Sequence, residues 1–319
     1  MARPNSSRPF RFGISAHVAP SATAWRDLAI KAEDLGYGTL LVSDHLGPQF
    51  APLPAITAAA AATRSLRVGT QVLSAGFRNP VVLAKELTTV DVLSEGRLDW
   101  GMGAGWLTSD YEATGIDYET GPDRYERLAE AIGLMKRVFA GGPVDHEGRI
   151  WSVRGAQGNP PPVQKPHPPL IVGATHRRTL QLAGREADIV GISAQHASRQ
   201  FGPFPATIAV EDSMDQQIAW VREGAGDRFD ELELSSVIMP LNIGAPLEAR
   251  DPSELEGAAR AAGLTPAEAL RSPHLLVGSV DEACELLKAR RDRWGISNWV
   301  IPAARLEAFA PVVDRLTGR

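Results

Sequence analysis

The chain is poor in the residues that carry several common chemistries. It holds a single cysteine, Cys284, which excludes an internal disulfide and a thiolate metal cluster and points to a reducing, cytoplasmic setting. No apolar run is long enough to span a bilayer, and the opening MARPNSSRPF lacks the apolar core of a signal peptide. Basic tracts are missing as well. With a net charge of −5, neither a nucleic acid nor an anionic membrane surface is expected as a partner. The seven histidines form no H-x-H or H-x-x-x-H pair and no G-x-S-x-G elbow occurs, so neither a metal site nor a serine hydrolase is expected. What is present is an ordinary globular composition, 44% hydrophobic and 22% charged, suited to small-molecule chemistry.

Short apolar strands alternate with amphipathic helices. FRFGISA precedes a helix with Ser21 as N-cap, Trp25, Leu28, Ala32 and Leu35 on one face, and Gly36 at its stop. TLLVSD, an alanine-rich helix near 51–63, LRVGTQVL, a helix opened by Asn79 and Pro80, and RLDWGMG follow. The helix near 122–139 places Leu128, Ala131, Ile132, Met135, Val138 and Phe139 at spacings of three and four. Residues 141–169, with the proline-rich NPPPVQKPHPP, read as an excursion. PLIVGA, ADIVGIS, LSSVIMPLNI and ISNWVIP then supply four more strands, with helices near 176–185, 211–224 and 253–293.

Most of these strands are continuous apolar runs, as expected for strands buried on both faces. Eight such units predict an α/β fold, a (β/α)₈ TIM barrel over 1–319 as a single domain, with extra helices before the last strand. A doubly wound sheet is the runner-up, but GMGAGW places Gly101, Gly103 and Gly105 at G-x-G-x-G spacing, which is not the dinucleotide fingerprint.

In a barrel the chemistry collects at the C-terminal strand ends. There the sequence places Ser15 and His17, then Asp44 and His45, then Gln71 and Ser74, then Gly105 and Trp106, then Gly173, Ala174 and Thr175. Glycines at such positions let a backbone approach a ligand, and the helix start after Gly-Ala-Thr offers amides to an anion. Arg177 and Arg178 in that first turn read as anion partners or as solvated side chains. His45 reads as a proton carrier or as a packed strand-end residue, and Trp106 as pocket wall or lid packing.

In order, SDH at 43–45, GTQVLSAGFRNP at 69–80, GRLDWGMGAGWLTSDYEATG at 96–115, DRYERLAEAIGLMKRVF, PPPVQKPHPPLIVGAT and LAGREADIVGIS resemble the luciferase-like monooxygenase superfamily, in particular its branch using the deazaflavin coenzyme F420. The resemblance implies hydride transfer between F420 and a small substrate, in a homodimer. It implies a non-prolyl cis peptide at Gln71–Val72 behind the cofactor ring. It places cofactor contacts at Asp44, Ser74, Ala104 and Gly105, a phosphate cradle at Gly173, Ala174 and Thr175, and the reacting histidine at His45, with Asp44 orienting that imidazole or the ring. His17, Gln49 and Trp106 fall to the substrate pocket. The sugar-phosphate dehydrogenases of the branch carry a glutamate at the Trp106 position and a tryptophan at Gln49, so an uncharged organic substrate is expected rather than glucose 6-phosphate. Two alternatives stand beside this reading, an FMN-dependent monooxygenase with a separate reductase and a non-catalytic cofactor-binding barrel.

Overall fold

A computed structural model describes residues 8–193, 195–196, 206–207, 211–238, 241–244, 246, 252–261 and 264–319. In chain order the first part comprises β1 (Arg11–Ser15), α1 (Ala22–Asp34), β2 (Thr39–Val42), α2 (Pro52–Ala62), β3 (Arg67–Thr70), β4 (Leu73–Ser74), α3 (Pro80–Leu93) and β5 (Leu98–Gly103). Then come α4 (Thr108–Thr114), α5 (Gly121–Ala140), β6 (Val144–Glu147), β7 (Ser152–Ala156), β8 (Leu170–Ala174), α6 (Arg177–Glu186), β9 (Ile189–Ile192), β10 (Gln195–His196) and β11 (Ala206–Thr207). The last part holds α7 (Glu211–Ala225), β12 (Glu233–Val237), β13 (Leu241–Ile243), α8 (Pro252–Ala261), α9 (Pro266–Arg271), β14 (Leu276–Gly278), α10 (Val280–Trp294), β15 (Ile296–Pro302) and α11 (Leu306–Leu316).

The principal sheet runs β3-β2-β1-β15-β12-β9-β8-β5-β4, and β3 also pairs with β5, so the order returns on itself. Registered pairs within it are parallel, for example Thr39–Val42 against Arg67–Thr70 and Phe12 against Trp299. This is the closed sheet of a (β/α)₈ barrel, as the alternation predicts. β2 and β5 are buried at every position, which is why neither shows a polar alternation in sequence.

Two compact units make up the chain. One consists of Ala16–Glu33 and Thr39–Gly173, and the other of β1 with Asp34–Gly38 and Ala174–Arg319. In the first, Asn79 caps α3 by accepting from the Val81 and Val82 amides with Pro80 in the first turn, and Thr120 caps α5, so the helix starts follow local chemistry. In the second, Ser279 and Glu282 form a capping box at α10, which stops at Gly295 with φ 75°.

Departures from expectation have local causes. The excursion contains the antiparallel pair β6–β7, docked on α5 because Glu130 accepts from the Ile150 and Trp151 amides. The expected strand LSSVIMPLNI ends at Val237, and Leu241–Ile243 pairs instead with β14 in a separate parallel sheet. Met239 and Pro240 within it lie outside the described residues. Likewise β14 interrupts the helical stretch expected at 253–293. Among the described residues no helix is long and apolar enough to cross a membrane.

Candidate active site

The first unit gathers most of the expected site residues at the ends of β2, β3 and β5. Leu40, Leu41 and Val42 are buried, burial continues through Ser43, and partial exposure begins at His45. Asp44 is itself buried. Its carboxylate accepts from Arg78 at 2.5 and 2.8 Å and from the Ser74 amide at 3.0 Å. A buried carboxylate needs such partners, and a forked guanidinium supplies two of them. Burial alone would lower the Arg78 pKa, but the carboxylate it clasps raises it above the usual value. Asp44 therefore ties the end of β2 to β4 and to the loop before α3.

His45 is held by a different acid from the expected one. Its Nδ1 lies 2.7 Å from Asp110 Oδ2, while Asp110 Oδ1 accepts from the Leu46 amide at 3.1 Å. Asp110 is buried in the first turn of α4, where a carboxylate also meets the favourable end of the helix dipole. Of the two roles expected of Asp44, orienting the imidazole or the ring, the first falls to Asp110, which bonds His45, while Asp44 is engaged by Arg78 and Ser74. Trp106 meets the His45 ring edge-on, with centroids 5.7 Å apart. The Gly105–Trp106 segment is held from behind, by Arg124 Nε on the Gly105 carbonyl at 3.2 Å and the Tyr118 hydroxyl on the Trp106 carbonyl at 3.0 Å. On the other side, Ser43 Oγ lies 3.0 Å from His17 Nδ1 and donates to Gln49 Oε1 at 2.9 Å, and Gln49 Nε2 donates to the Ser43 carbonyl at 2.9 Å. Burial and the neighbouring His45 hold the His17 pKa below the ordinary imidazole value. Ser43 thus joins His17 to Gln49, and His45 lies near both His17 and Trp106.

The peptide between Gln71 and Val72 is cis and non-prolyl, at the position the resemblance implies. The surrounding glycines have a use that the sequence alone does not show. A Cβ on Gly103 would lie 2.6 Å from Val72 Cγ2, one on Gly173 would lie 3.0 Å from the same atom, and one on Gly101 would meet the Thr70 carbonyl. These strands are bare of side chains to make room for Val72 and for β3. Gly105 combines φ 76° with a Cβ direction blocked by Ser74 Oγ at 2.6 Å and by the Tyr111 hydroxyl. Tyr111 in turn sits 2.9 Å from Ser74 Oγ. Gly101, Gly103 and Gly173 face Val72, and Gly105 faces Ser74 and Tyr111. Ala104 and Gly105 remain half-buried, as do Gln71 and Val72.

In the second unit, Ala174 ends β8 and Thr175 leads into α6, whose N-cap His176 makes no side-chain capping bond. Gln217 secures the turn by donating to the Thr175 and Ser193 carbonyls at 3.3 and 3.1 Å. Of the two readings of Arg177, the structure favours the solvated side chain, 59% exposed. It pairs with Glu223 at 2.8 Å.

Asp110, Arg78, Tyr111 and Tyr118 escape the sequence reading as site residues. The signal for Asp110 and Tyr111 lies in the quoted block GWLTSDYEATG, where an acid and an aromatic adjoin inside an otherwise polar helix.

The profile of a family described as luciferase-like monooxygenase matches residues 6–209. An F420-dependent glucose-6-phosphate dehydrogenase of Microbacterium testaceum is 34% identical over 191 residues, 56% of this chain, and the matched stretch spans only 55% of that relative. Another from Rhodococcus hoagii is 28% identical over 306 residues, covering 87% of this chain and 86% of the relative. The solved F420-dependent tetrahydromethanopterin reductase of Methanopyrus kandleri superposes with a TM-score of 0.76 at 18% identity, over 97% of this chain and all of that one. This last likeness bears on the fold.

Proposed function

The chain belongs to the luciferase-like monooxygenase family, and within it we propose an oxidoreductase that uses coenzyme F420 to exchange a hydride with a small, uncharged organic substrate. The observation that carries this reading is the His45–Asp110 pair at 2.7 Å, with Trp106 edge-on to the imidazole. The names of the relatives above, F420-dependent dehydrogenases, support the same cofactor.

The residues present fit a phosphate-bearing cofactor. Gln71, Val72, Ser74, Ala104 and Gly105 would take the ring, and the resemblance assigns the phosphate to Gly173, Ala174 and Thr175, at the positive end of the α6 dipole. When bound, F420 supplies a ring carbon that gives or takes the hydride. The protein supplies position and the proton. Asp110 accepts from His45 Nδ1–H, which selects the tautomer and stabilises the imidazolium, so His45 exchanges a proton with the substrate oxygen as the hydride leaves or arrives at carbon. Trp106 and Gln49, in place of the glutamate and tryptophan of the sugar-phosphate dehydrogenases, support an uncharged substrate over glucose 6-phosphate. A cytoplasmic homodimer belongs to the same proposal, supported by the exposed apolar side chains Val82, Val92 and Leu93 along α3.

Replacing Asp110 by Asn keeps the size and removes the charge-assisted bond, worth about 1.5–3 kcal/mol. Turnover of F420 should fall roughly 10- to 100-fold at neutral pH. Unchanged turnover in both Asp110→Asn and His45→Ala would remove the dyad from the mechanism.

A further inference from the structure

Gln217 breaks the pattern of its own helix. Along α7 the buried residues Met214, Gln217, Ile218, Val221 and Ala225 recur every three or four positions, the core stripe of an amphipathic helix. All but Gln217 are apolar. Gln217 is 0% exposed and stands where an aliphatic side chain would pack with no polar group to bury. Its Nε2 donates to the Thr175 carbonyl at 3.3 Å and to the Ser193 carbonyl at 3.1 Å. Two carbonyls can be met only by the N–H₂ end of the amide, which fixes its orientation. Among the described residues its buried Oε1 has no hydrogen-bond partner. A buried acceptor left so lowers stability, and packing therefore does not account for the residue. What it supplies is the hold on two carbonyls.

Those carbonyls belong to the segments leaving β8 and β9, neighbours in the sheet, which the Ser193 amide also joins by donating to the Ala174 carbonyl at 3.5 Å. α7 is in turn seated tightly on α6. A Cβ on Gly184 would lie 2.3 Å from the Val221 carbonyl, and one on Gly224 would lie 2.2 Å from the Gln181 carbonyl, so the two backbones meet where only glycine fits. In a planar trans peptide the C=O and the following N–H point in opposite directions. Drawing the Thr175 carbonyl toward Gln217 therefore aims the His176 amide away from α7.

We propose that Gln217 is a positioning residue for the cofactor's phosphate: it sets the peptide plane between Thr175 and His176 and the spacing of the β8 and β9 ends, and so preorganises the turn to which the resemblance assigns that phosphate. This rests on the F420 reading for the identity of the ligand. Being fully buried, Gln217 acts through the turn and not on the cofactor. Its effect bears on the phosphate alone and not on the ring, which is proposed to lie with Gln71, Val72, Ser74, Ala104 and Gly105.

The test titrates the full chain with deazariboflavin and with its phosphate monoester, which share the ring and ribityl chain of F420 and differ only in the phosphate, each followed by fluorescence. The parent should bind the ester more tightly. Gln217→Met keeps the length of the side chain and removes both donors; it should weaken the ester about tenfold, the value of one charge-assisted hydrogen bond, and leave deazariboflavin unchanged. Gln217→Asn, whose amide falls one methylene short of the carbonyls, gives the same readout if Gln217→Met does not fold. Val221→Ala, one turn along the same stripe, lowers stability without touching the turn and should keep the parent's ratio of affinities. Equal weakening of both ligands by the Gln217 variants, or a ratio unchanged from the parent's, overturns the proposal. Failure of the F420 reading is distinct: the parent then prefers FMN to the deazariboflavin ester, and FMN against riboflavin reports on Gln217 in the same way. A parent that gains nothing from the phosphate in either pair also overturns the proposal.

Discussion

Replacing Asp44 by Asn tests whether the buried clasp at the end of β2 holds the site together. The side chain is 5% exposed and that of Arg78 25%, and the carboxylate takes both guanidinium bonds together with the Ser74 amide. Asn offers one acceptor oxygen and points an N–H₂ at a group that can only donate, leaving Arg78 a partly buried cation with no counter-charge. Removing one partner of a fully buried pair costs about 3–5 kcal/mol, and the partial exposure of Arg78 argues for the lower figure, about 3 kcal/mol. Unfolding entropy of about 2.1 cal/mol/K per residue gives about 0.7 kcal/mol/K for a chain of 319 residues, so Tm should fall by about 4 °C. Scanning calorimetry on Asp44→Asn, Arg78→Met and the double variant measures this. The double variant should lose about 2 kcal/mol less than the sum of the singles, because the second change removes the charge that the first leaves stranded. An Asp44→Asn protein melting within about 1 °C of the parent, or strictly additive losses, would refute the reasoning.

Other consequences follow from the same contacts. Gly103→Ala forces a methyl to 2.6 Å from Val72 Cγ2 and should cost about 1–3 kcal/mol; urea midpoints should show Val72→Ala partly restoring stability in the double variant, and an equal or larger loss there would remove Val72 as the cause. His274 is buried with Nδ1 on the Val237 carbonyl at 3.0 Å, and burial pushes its pKa down to about 4. Between the unfolded value near 6.5 and that folded value only the unfolded chain binds the proton, so stability should fall by up to about 3 kcal/mol as pH drops through this window. His274→Leu should flatten that part of the stability curve, and a parallel pH dependence in parent and variant would discount the residue.

The barrel was legible because its evidence is local. Strands such as TLLV and LDWGMG are buried throughout and read as unbroken apolar runs, and Ser21, Asn79 and Gly36 punctuate helices by their own backbone chemistry. The strand-end placement of His17, Asp44, His45 and Gln71 follows from that periodicity, and the cis peptide at Gln71–Val72 from the family resemblance. Pairings between distant residues were not legible. Asp44 adjoins His45 in sequence, yet successive residues on an extended chain point to opposite sides, and the imidazole finds its acid 65 residues away. The glycines at 101, 103 and 173 could be read only once Val72 was seen filling the space they leave. β14 was hidden because it is only three residues long, too short for any periodicity, and β13, equally short, was read as the end of the strand before it.

The central claim is that these strand ends hold a deazaflavin. Purified protein titrated with F420 and, separately, with FMN, each followed by cofactor fluorescence, tests it most directly. The account predicts saturable F420 binding at least tenfold tighter than that of FMN, weakened by substitutions at Ala104 and Thr175. Tighter binding of FMN, or no binding of either cofactor by folded protein, would contradict it.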